Sequence, residues 1–481
     1  MISDRDCDLR LELSGWQFRQ LVDLAMEHIV AHIDSLPEQH AWNSDGAADL
    51  ARSVIEPLPT DGSDAADIFQ KFFGRYLATT YNTASPGYMA FVPGGGLPQS
   101  AVADLIAGVI NRYVGVWIAA PALAQIETTV IRWFCDIVGY PKQGGGFLTT
   151  GGSLANWSGL VTARRCRLPD DFQSGLLYTS NQAHYSVQKA AMLAGFPTKN
   201  VCEIAVDSQF RVRVDLLAEQ IAADRALGRT PFAIVGHAGT VNTGAVDALD
   251  ALADLADQEG LWLHVDAAYG GFFMLTERGQ RLMKGIERAD SIALDPHKGL
   301  FLPFGNGCLL VRDLDHLKQA HSLTGEYMPP MQDEPDFVDF CQISPELSRD
   351  FRGLRTWLPI KMHGIEPFRN NLNEKLDLTR WAVEQLRSIN NEIDDELEIV
   401  AEPQLSIVAF RLLRQGLDEP QLTRLNEDLR EKINRNRRVY LTPTILDGRY
   451  VIRICVIQFR THLARMKECL QEIRKAIGKV S

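Results

Sequence analysis

Two residues able to take part in covalent chemistry stand directly after apolar runs of the sequence. Asp266 ends the run Leu263-His-Val-Asp, and Lys298 follows Ser291-Ile-Ala-Leu in the segment Asp295-Pro-His-Lys. If both runs are strands of a parallel sheet, their side chains reach the crevice where such sheets bind ligands. Burial among apolar neighbours lowers the pKa of a lysine and frees its amine to form an imine. Taken alone, Asp266 is equally consistent with a carboxylate in an ordinary turn. Lys298 is likewise consistent with a lysine whose aliphatic chain packs on apolar surface.

A glycine-rich passage supplies a third element of the same chemistry. Gly144-Gly-Gly-Phe-Leu-Thr-Thr-Gly151-Gly-Ser153 leads into an apolar-periodic segment, which predicts a helix with Ser153 as its N-cap. Free backbone N–H groups at a helix N-terminus bind phosphate, although a plain glycine turn before a capped helix has the same pattern. A phosphate cradle, an imine-forming lysine and a carboxylate are the three groups that pyridoxal phosphate requires. We therefore expect this cofactor.

Composition places the chain among ordinary soluble globular proteins. Its 481 residues are 46% hydrophobic and 23% charged, and the length predicts two or three domains. The net charge of −12 opposes binding to nucleic acid or anionic membranes, because like charges repel. Eight scattered cysteines without a Cys-x-x-Cys pair predict neither a disulfide framework nor a zinc site. With no apolar leader and no run long enough to cross a bilayer, we expect a cytoplasmic protein that binds no metal, nucleic acid or membrane.

Several common catalytic motifs are missing from the sequence. It contains no Walker A loop, no His-Glu-x-x-His, no Gly-x-Ser-x-Gly and no Gly-x-Gly-x-x-Gly after an apolar strand. Their absence disfavours a nucleotide triphosphatase, a zinc peptidase, an α/β-hydrolase and a dinucleotide-dependent dehydrogenase.

Hydrophobic periodicity divides the chain into three regions. Residues 1–84 predict an N-terminal helical segment, and residues 365–481 predict a small α+β domain. In residues 85–364, short apolar runs alternate with amphipathic segments, as in βαβ units of a mainly parallel sheet. The polar segment His321–Ser344 predicts a long loop. The strands predicted in the middle region are Leu176–Thr179, Phe232–Val235, Trp262–Val265, Ser291–Leu294 and Cys308–Val311.

Taken together, these features resemble the pyridoxal-phosphate-dependent group II amino-acid decarboxylases, in particular the aromatic-L-amino-acid decarboxylase-like branch. The resemblance extends over nearly the whole chain and rests on the Ser-Pro passage at 85–93, Asn181-Gln-Ala-His184, Gly239-Thr240, His264-Val-Asp-Ala-Ala-Tyr, Pro296-His-Lys and Phe351-Arg-Gly-Leu-Arg-Thr-Trp357. It implies the aspartate-aminotransferase-like fold (fold type I), with a mixed, mostly parallel seven-stranded sheet and a smaller α+β C-terminal domain. It also implies a homodimer with active sites at the subunit boundary.

The resemblance also assigns residues to the cofactor. It implies that pyridoxal 5'-phosphate is bound to Lys298 as an aldimine, that Asp266 pairs with the pyridine nitrogen and that His184 stacks on the ring. The other cofactor contacts that it implies are Gly152 and Ser153 at the phosphate, Thr240 near the ring oxygen, and Asp295 and His297 beside the lysine. Asp295 stands where the branch usually has Asn. A carboxylate near a phosphate is unfavourable unless it is protonated or turned away, so the role of Asp295 stays open.

Tyr327, in the predicted long loop, matches a mobile-loop tyrosine of the family. We expect it to protonate the substrate Cα, directly or as a relay, when the loop closes and excludes water. Without the resemblance, a loop tyrosine would be interpreted as a surface residue. The predicted catalytic residues are thus Lys298, Tyr327, His184 and Asp266.

Substrate contacts are predicted at Phe91, Gly94, Trp117 and Ser348. Gly94 replaces a substrate-contacting Thr of the branch, and Ser348 occupies a position where plant relatives tend to have Ser with phenolic substrates and Gly with indoles. The replacement at Gly94 thins the aromatic lining, whereas Phe91 and Trp117 remain nearby and Ser348 favours a tyrosine- or DOPA-like substrate. We expect an aromatic substrate such as tyrosine, DOPA or tryptophan. The alternatives are a decarboxylase of glutamate, 2,4-diaminobutyrate or cysteine sulfinate, an aldehyde synthase, an aminotransferase with Arg453 as carboxylate ligand, and a non-catalytic interaction partner.

Overall fold

The computed structural model of the chain describes residues 11–480, apart from residues 324, 327, 330, 333 and 335. The helices formed by the described residues are α1 (Gly15–Ser35), α2 (Ala47–Arg52), α3 (Ala65–Lys71), α4 (Pro98–Ile110), α5 (Pro121–Val138), α6 (Gly152–Arg167), α7 (Tyr185–Leu193), α8 (Val214–Ala226), α9 (Leu249–Glu259), α10 (Glu277–Leu282), α11 (Pro296–Gly299), α12 (Asp315–His321), α13 (Phe340–Ile343), α14 (Arg352–His363), α15 (Glu366–Asn390), α16 (Glu419–Asn434) and α17 (Leu463–Ile477). The strands are β1 (Gly145–Thr149), β2 (Gly175–Ser180), β3 (Val201–Ile204), β4 (Thr230–His237), β5 (Trp262–Asp266), β6 (Ser291–Leu294), β7 (Gly307–Val311), β8 (Glu396–Ala401), β9 (Ile407–Leu413), β10 (Thr442–Leu446) and β11 (Arg449–Cys455).

A seven-stranded mixed sheet forms the centre of the middle region, which confirms the predicted fold class. Its strand order is β1-β7-β6-β5-β4-β2-β3. The strands β6, β5, β4, β2 and β3 pair in parallel, whereas β7 lies antiparallel between β1 and β6. Every residue of β2, β5, β6 and β7 is buried. Burial on both faces explains why these strands are continuous apolar runs in the sequence.

All five strands predicted in this region are present, and each extends by at most two residues at either end. The sequence does not predict β1 and β3. β1 begins with two glycines, which usually disfavour strands, but a Cβ on Gly146 would lie only 2.0 Å from the carbonyl oxygen of Leu309 on β7. β3 has only four residues and is largely unburied at the edge of the sheet.

A four-stranded antiparallel sheet with the order β10-β11-β9-β8 lies in the C-terminal region. Apolar residues of this sheet, α15, α16 and α17 form one core that includes Phe410, Leu386, Leu429 and Ile473. The apolar runs Ser406–Leu412 and Tyr450–Val456 predict the central strands β9 and β11, but the sequence does not predict β8 and β10. Both of these are edge strands with exposed or half-buried residues, so their apolar patterns are weak.

The N-terminal helices pack loosely on the rest of the chain. None of the residues of α1 or α3 is buried, although the rings of His28 and Phe73 stack with centroids 5.1 Å apart. Further along, α13 forms inside the segment predicted as a loop, so that segment is not wholly irregular. Among the described residues, no helix is both long enough and apolar enough to cross a membrane.

Candidate active site

A cavity of about 280 Å³ opens at the carboxyl ends of the parallel strands β4, β5 and β6. The start of α6, the residue before α7, the loop after β4 and the turns after β5 and β6 surround it. The lining residues are Thr150, Gly151, Gly152, Ser153, Leu154, Asn156, His184, Ser186, His237, Gly239, Thr240, Val241, Asp266, Ala268, Tyr269, Asp295, His297 and Lys298. The fold therefore brings together all eight residues that the sequence assigns to the cofactor.

Lys298 lies on α11, a single helical turn that follows β6. Its Nζ is 2.9 Å from Oδ2 of Asp295, the residue that precedes this turn. Burial opposes the charge of the ammonium group, but the carboxylates of Asp295 and Asp266 outweigh this effect and raise the pKa of Lys298. The lowered pKa predicted from apolar neighbours alone is therefore wrong for the cofactor-free chain, because two carboxylates share the cavity with the amine.

Asp266, the last residue of β5, is buried and held by two donors. Asn156 Nδ2 donates to its Oδ2 at 3.0 Å, and the backbone N–H of Ala268 donates to its Oδ1 at 3.2 Å. Burial alone would raise the pKa of Asp266, but the nearby His237 and Lys298 and the hydrogen bond from Asn156 lower it. The site therefore keeps an ionised carboxylate, as a protonated pyridine nitrogen requires.

The N-terminus of α6 faces the cavity with Gly152, Ser153 and Leu154. A Cβ on Gly152 would lie 2.9 Å from both the Cβ of Ala268 and Oδ2 of Asp295, so only glycine leaves space there. The prediction that Ser153 caps the helix is wrong, because α6 begins at Gly152 and Gly151 occupies the cap position. Ser153 instead lies in the first turn and is exposed, where its N–H and hydroxyl are available to an anion.

His184 precedes α7 and caps that helix. Its Nδ1 accepts from the backbone N–H of Ser186 at 3.2 Å and lies 2.7 Å from Ser186 Oγ. Burial lowers the pKa of His184, so the ring is neutral at neutral pH. This cap is compatible with the predicted place of His184 beside the cofactor, because the capping side chain also lines the cavity.

His297 and Thr240 approach the cavity from two further sides. His297 Nδ1 lies 2.7 Å from the carbonyl oxygen of Asn306, and its Nε2 lies 3.6 Å from Asp295 Oδ2. Burial lowers the pKa of His297. Thr240 is buried, and its hydroxyl is 3.1 Å from Thr243 Oγ1 and accepts from the N–H of Ala245.

None of the four predicted substrate residues lines this cavity within the single chain. Phe91 is 55% exposed, Ser348 is also exposed, and Trp117 stacks on Phe337 with ring centroids 4.2 Å apart. Gly94 is buried against the backbone beside Lys298, where a Cβ would lie 2.1 Å from the carbonyl oxygen of His297. The chain therefore has no room at position 94 for the side chain that a threonine would bring.

A further prediction concerns Arg453, which does not line the cavity. The guanidinium group of Arg453 is buried and donates to the carbonyl oxygens of Val241 and Asn242, so the carboxylate-binding role considered for an aminotransferase does not fit. Its contacts instead fix the loop that carries Thr240. Tyr327, the predicted proton donor, lies outside the described residues.

Sequence reasoning missed Asn156, Ser186 and His237, all of which line the cavity. His237 ends β4 and pairs in register with Asp266 on β5, so its place follows from strand alignment. Asn156 lies one helical turn after Gly152, and this spacing predicts that both residues lie on the same face of the helix, toward the cavity. Ser186 gives no comparable signal in the sequence, because its role depends on the cap geometry of α7.

These groups fit pyridoxal phosphate. Lys298 supplies an amine, Asp266 an ionised carboxylate, and the first turn of α6 a cradle that a Cβ on Gly152 would fill. Thr240 and His184 stand on the remaining sides of the same space. The donor set therefore matches the aldehyde, the pyridine nitrogen and the phosphate of that cofactor.

Comparison with known proteins agrees with this site. A family model described as "Pyridoxal-dependent decarboxylase conserved domain" matches residues 51–413. The chain is 34% identical over 477 residues to the aromatic-L-amino-acid decarboxylase of Bacillus atrophaeus, and the match covers 98% of each protein.

Solved structures of similar proteins share the fold over almost the full length. Tryptophan decarboxylase of Catharanthus roseus, in complex with L-tryptophan, superimposes with a TM-score of 0.90 at 25% identity, covering 98% of this chain and 100% of the other. The glutamate decarboxylase domain of the diaminobutyrate-pyruvate transaminase and L-2,4-diaminobutyrate decarboxylase from Vibrio parahaemolyticus gives a TM-score of 0.82 at 25% identity, covering 97% of each chain.

Proposed function

Because the chain belongs to the pyridoxal-dependent decarboxylase family, we propose that it converts an aromatic L-amino acid to the corresponding amine and carbon dioxide. One observation carries the choice of an aromatic substrate: the 34% identity, over 98% of both chains, to an aromatic-L-amino-acid decarboxylase. Tyrosine, DOPA and tryptophan are the substrates that we expect to be turned over.

In this proposal, some residues of the cavity hold the cofactor and others control the position of protons. Lys298 Nζ binds it covalently, and the backbone of Gly152 and Ser153 holds its phosphate. When bound, pyridoxal phosphate takes up the electron pair left by the departing carboxyl group. Asp266 remains ionised and keeps a proton on the pyridine nitrogen. His184, which is neutral, covers the ring without adding a charge beside it.

Tyr327 supplies the proton that Cα needs after the carboxyl group leaves. We assign this role to it because a family member requires an acid near Cα and the resemblance places a loop tyrosine there. Closure of the loop would also exclude water, which otherwise competes in protonation and side reactions.

A non-aromatic substrate is the second candidate. It is favoured by the structural similarity to the Vibrio parahaemolyticus domain, whose description names glutamate and L-2,4-diaminobutyrate. Phe91 and Trp117 favour the aromatic substrate, provided that assembly of the protein brings them to the cavity. An acidic or cationic side chain would require a partner of opposite charge there instead.

The test is a substrate panel with the purified holoenzyme. L-Tyrosine, L-DOPA, L-tryptophan, L-glutamate and L-2,4-diaminobutyrate are incubated separately, and carbon dioxide and amine are measured together. The proposal predicts equal amounts of both products from an aromatic substrate, and none with the Lys298→Ala variant. Preferred turnover of glutamate or diaminobutyrate would overturn the aromatic assignment but not the family.

We propose that the protein acts as a homodimer in the cytoplasm. The helix α1 supports a dimer because it has no buried residue and exposes Trp16, Met26 and Val30, an apolar surface suited to a second subunit. The cysteines among the described residues carry free thiols, as a reducing compartment permits. Sedimentation of the holoenzyme as a monomer would contradict the dimer, and secretion in fractionated cells would contradict the location.

A further inference from the structure

A directed chain of hydrogen bonds runs behind the cavity, and it begins at Trp262 on β5. The indole Nε1–H can only donate, and it donates to Ser291 Oγ at 2.8 Å. The single hydroxyl hydrogen of Ser291 is then available to His264 Nδ1, which lies 2.8 Å away. His264 Nδ1 is therefore an acceptor, and a neutral His264 carries its ring proton on Nε2.

The proton on His264 Nε2 fixes the orientation of the Asn156 side chain. His264 Nε2 lies 2.9 Å from Asn156 Oδ1, so this oxygen accepts. Asn156 Nδ2 must then point the other way, where its two hydrogens reach Asp266 Oδ2 and Ser186 Oγ, each at 3.0 Å. A flipped amide would put an oxygen against the carboxylate and an N–H against another N–H. The proton on His264 Nε2 and the ionised carboxylate of Asp266 therefore favour the same orientation of the amide.

The last links reach the predicted cofactor-stacking residue. Ser186 Oγ already accepts from Asn156, so its own hydrogen is free for His184 Nδ1 at 2.7 Å. The backbone N–H of Ser186 donates to the same nitrogen at 3.2 Å. Two donors meet at His184 Nδ1, so this atom carries no proton and the neutral ring has its hydrogen on Nε2.

The surroundings of His264 support a ring held in one place and without charge. The residue is fully buried, and a Cβ on Gly159 would lie 2.7 Å from its Cε1, so the glycine makes room for the imidazole. Burial lowers the pKa of His264 to about 4, although Asp266 acts in the opposite direction. At neutral pH the ring therefore both accepts and donates, as the chain of hydrogen bonds requires.

We propose that His264 is a positioning residue that holds the Asn156 amide, and through it Asp266 and Ser186, in one orientation. The consequence of this hydrogen-bond chain for catalysis rests on the proposed function, whereas the chain itself does not. With the proton on Nε2, this second ring nitrogen of His184 is an N–H donor and has no lone pair available. It can then donate to an anionic oxygen but cannot remove a proton from the substrate. The same chain holds the carboxylate that faces the pyridine nitrogen.

The test compares two substitutions of His264 in the holoenzyme. His264→Leu removes the donor to Asn156 Oδ1, whereas His264→Gln keeps an N–H that can replace Nε2–H. Nitrogen NMR of the holoenzyme, with uniformly ¹⁵N-labelled histidine and assignment by His184→Asn, reports the tautomer of His184. We expect Nε2–H at His184 in the wild type and in both variants, because the backbone N–H of Ser186 donates to Nδ1 in all three proteins, so this spectrum shows that the cap of α7 is intact. We also expect pyridoxal phosphate to bind about tenfold more weakly to His264→Leu, with most of the affinity restored in His264→Gln.

A milder pair of variants covers the case in which His264→Leu does not fold. Ser291→Ala removes the donor to His264 Nδ1 and should weaken the binding of pyridoxal phosphate, as His264→Leu does. Ser158→Ala is its matched control, because Ser158 is equally buried on α6 but its Oγ has no hydrogen-bond partner among the described residues. Wild-type affinity for pyridoxal phosphate in both Ser291→Ala and His264→Leu would overturn the proposal. Failure of the proposed function would appear separately, as the expected loss of cofactor affinity in the variants while the wild type forms no amine from any substrate.

Discussion

Gly94 has no room for a side chain, because its Cα lies against the backbone that carries Lys298. A Cβ at this position would lie 2.1 Å from the carbonyl oxygen of His297 and 2.9 Å from that of Lys298. Ordinary contacts begin near 3.4 Å, so a Gly94→Ala substitution requires the two segments to separate by about 1.3 Å. The Gly94→Ala substitution therefore tests whether the packing of Gly94 against this backbone holds Lys298 in place.

Gly94→Ala should impair the site more than it destabilises the chain. Overpacking of this kind costs about 1–3 kcal/mol. An unfolding entropy of about 2.1 cal/mol/K per residue converts this cost to a loss of only about 1–3 °C in Tm for 481 residues. In contrast, displacement of a reacting group by about 1 Å lowers the rate about 100-fold. The informative measurements are kcat, from amine formation, and the dissociation constant of pyridoxal phosphate, from an absorbance titration.

Gly62→Ala is the matched control, because a Cβ there meets no atom within 4 Å. We expect this control to retain both kcat and cofactor affinity. If Gly94→Ala also retains both, the contact between Gly94 and the carbonyl oxygen of His297 does not position Lys298, and the reasoning is refuted.

Three further predictions concern residues around the cavity. Tyr327→Phe should suppress amine formation or divert the product, as chromatography of the reaction would show, and unchanged amine output would remove Tyr327 from the mechanism. Because the folded chain holds the pKa of His264 near 4, the unfolded chain takes up a proton below pH 6.5 that the folded chain does not. The free energy of unfolding, measured by urea titration, should therefore fall by about 3 kcal/mol between pH 6.5 and pH 4, and by less in the His264→Gln variant. An equal dependence of this free energy on pH in the two proteins would refute the explanation. Arg453→Lys should weaken cofactor binding about tenfold in a titration without changing substrate preference, because lysine loses the fork that contacts Val241 and Asn242; a changed preference with normal cofactor binding would contradict it.

Much of the cofactor site was predictable because its residues follow strongly apolar strands. Asp266 ends β5 and Lys298 follows β6, and both strands are buried on both faces and give clear apolar runs. Adjacent parallel strands then bring their carboxyl ends to one edge, so the two residues meet without further information. By contrast, β1 begins with two glycines, and its formation depends on close contact with β7, which local sequence does not encode.

Side-chain networks and close backbone contacts were not predictable in the same way. The sequence places His264 two residues before Asp266, but only the packed structure connects it to Asn156 and Ser291. The raised pKa of Lys298 likewise depends on the distance to Asp295, and apolar neighbours in the sequence suggest the opposite direction. Both effects come from the relative placement of separate elements.

The most direct test of the site is to identify the lysine that binds the cofactor. Borohydride reduces the bond between pyridoxal phosphate and its lysine to a stable amine, so peptide mass spectrometry of the reduced holoenzyme locates the attachment. The cavity geometry predicts one pyridoxyl group per chain, on Lys298. Stoichiometric labelling of another lysine, such as the buried Lys375, with Lys298 unmodified, would contradict the account.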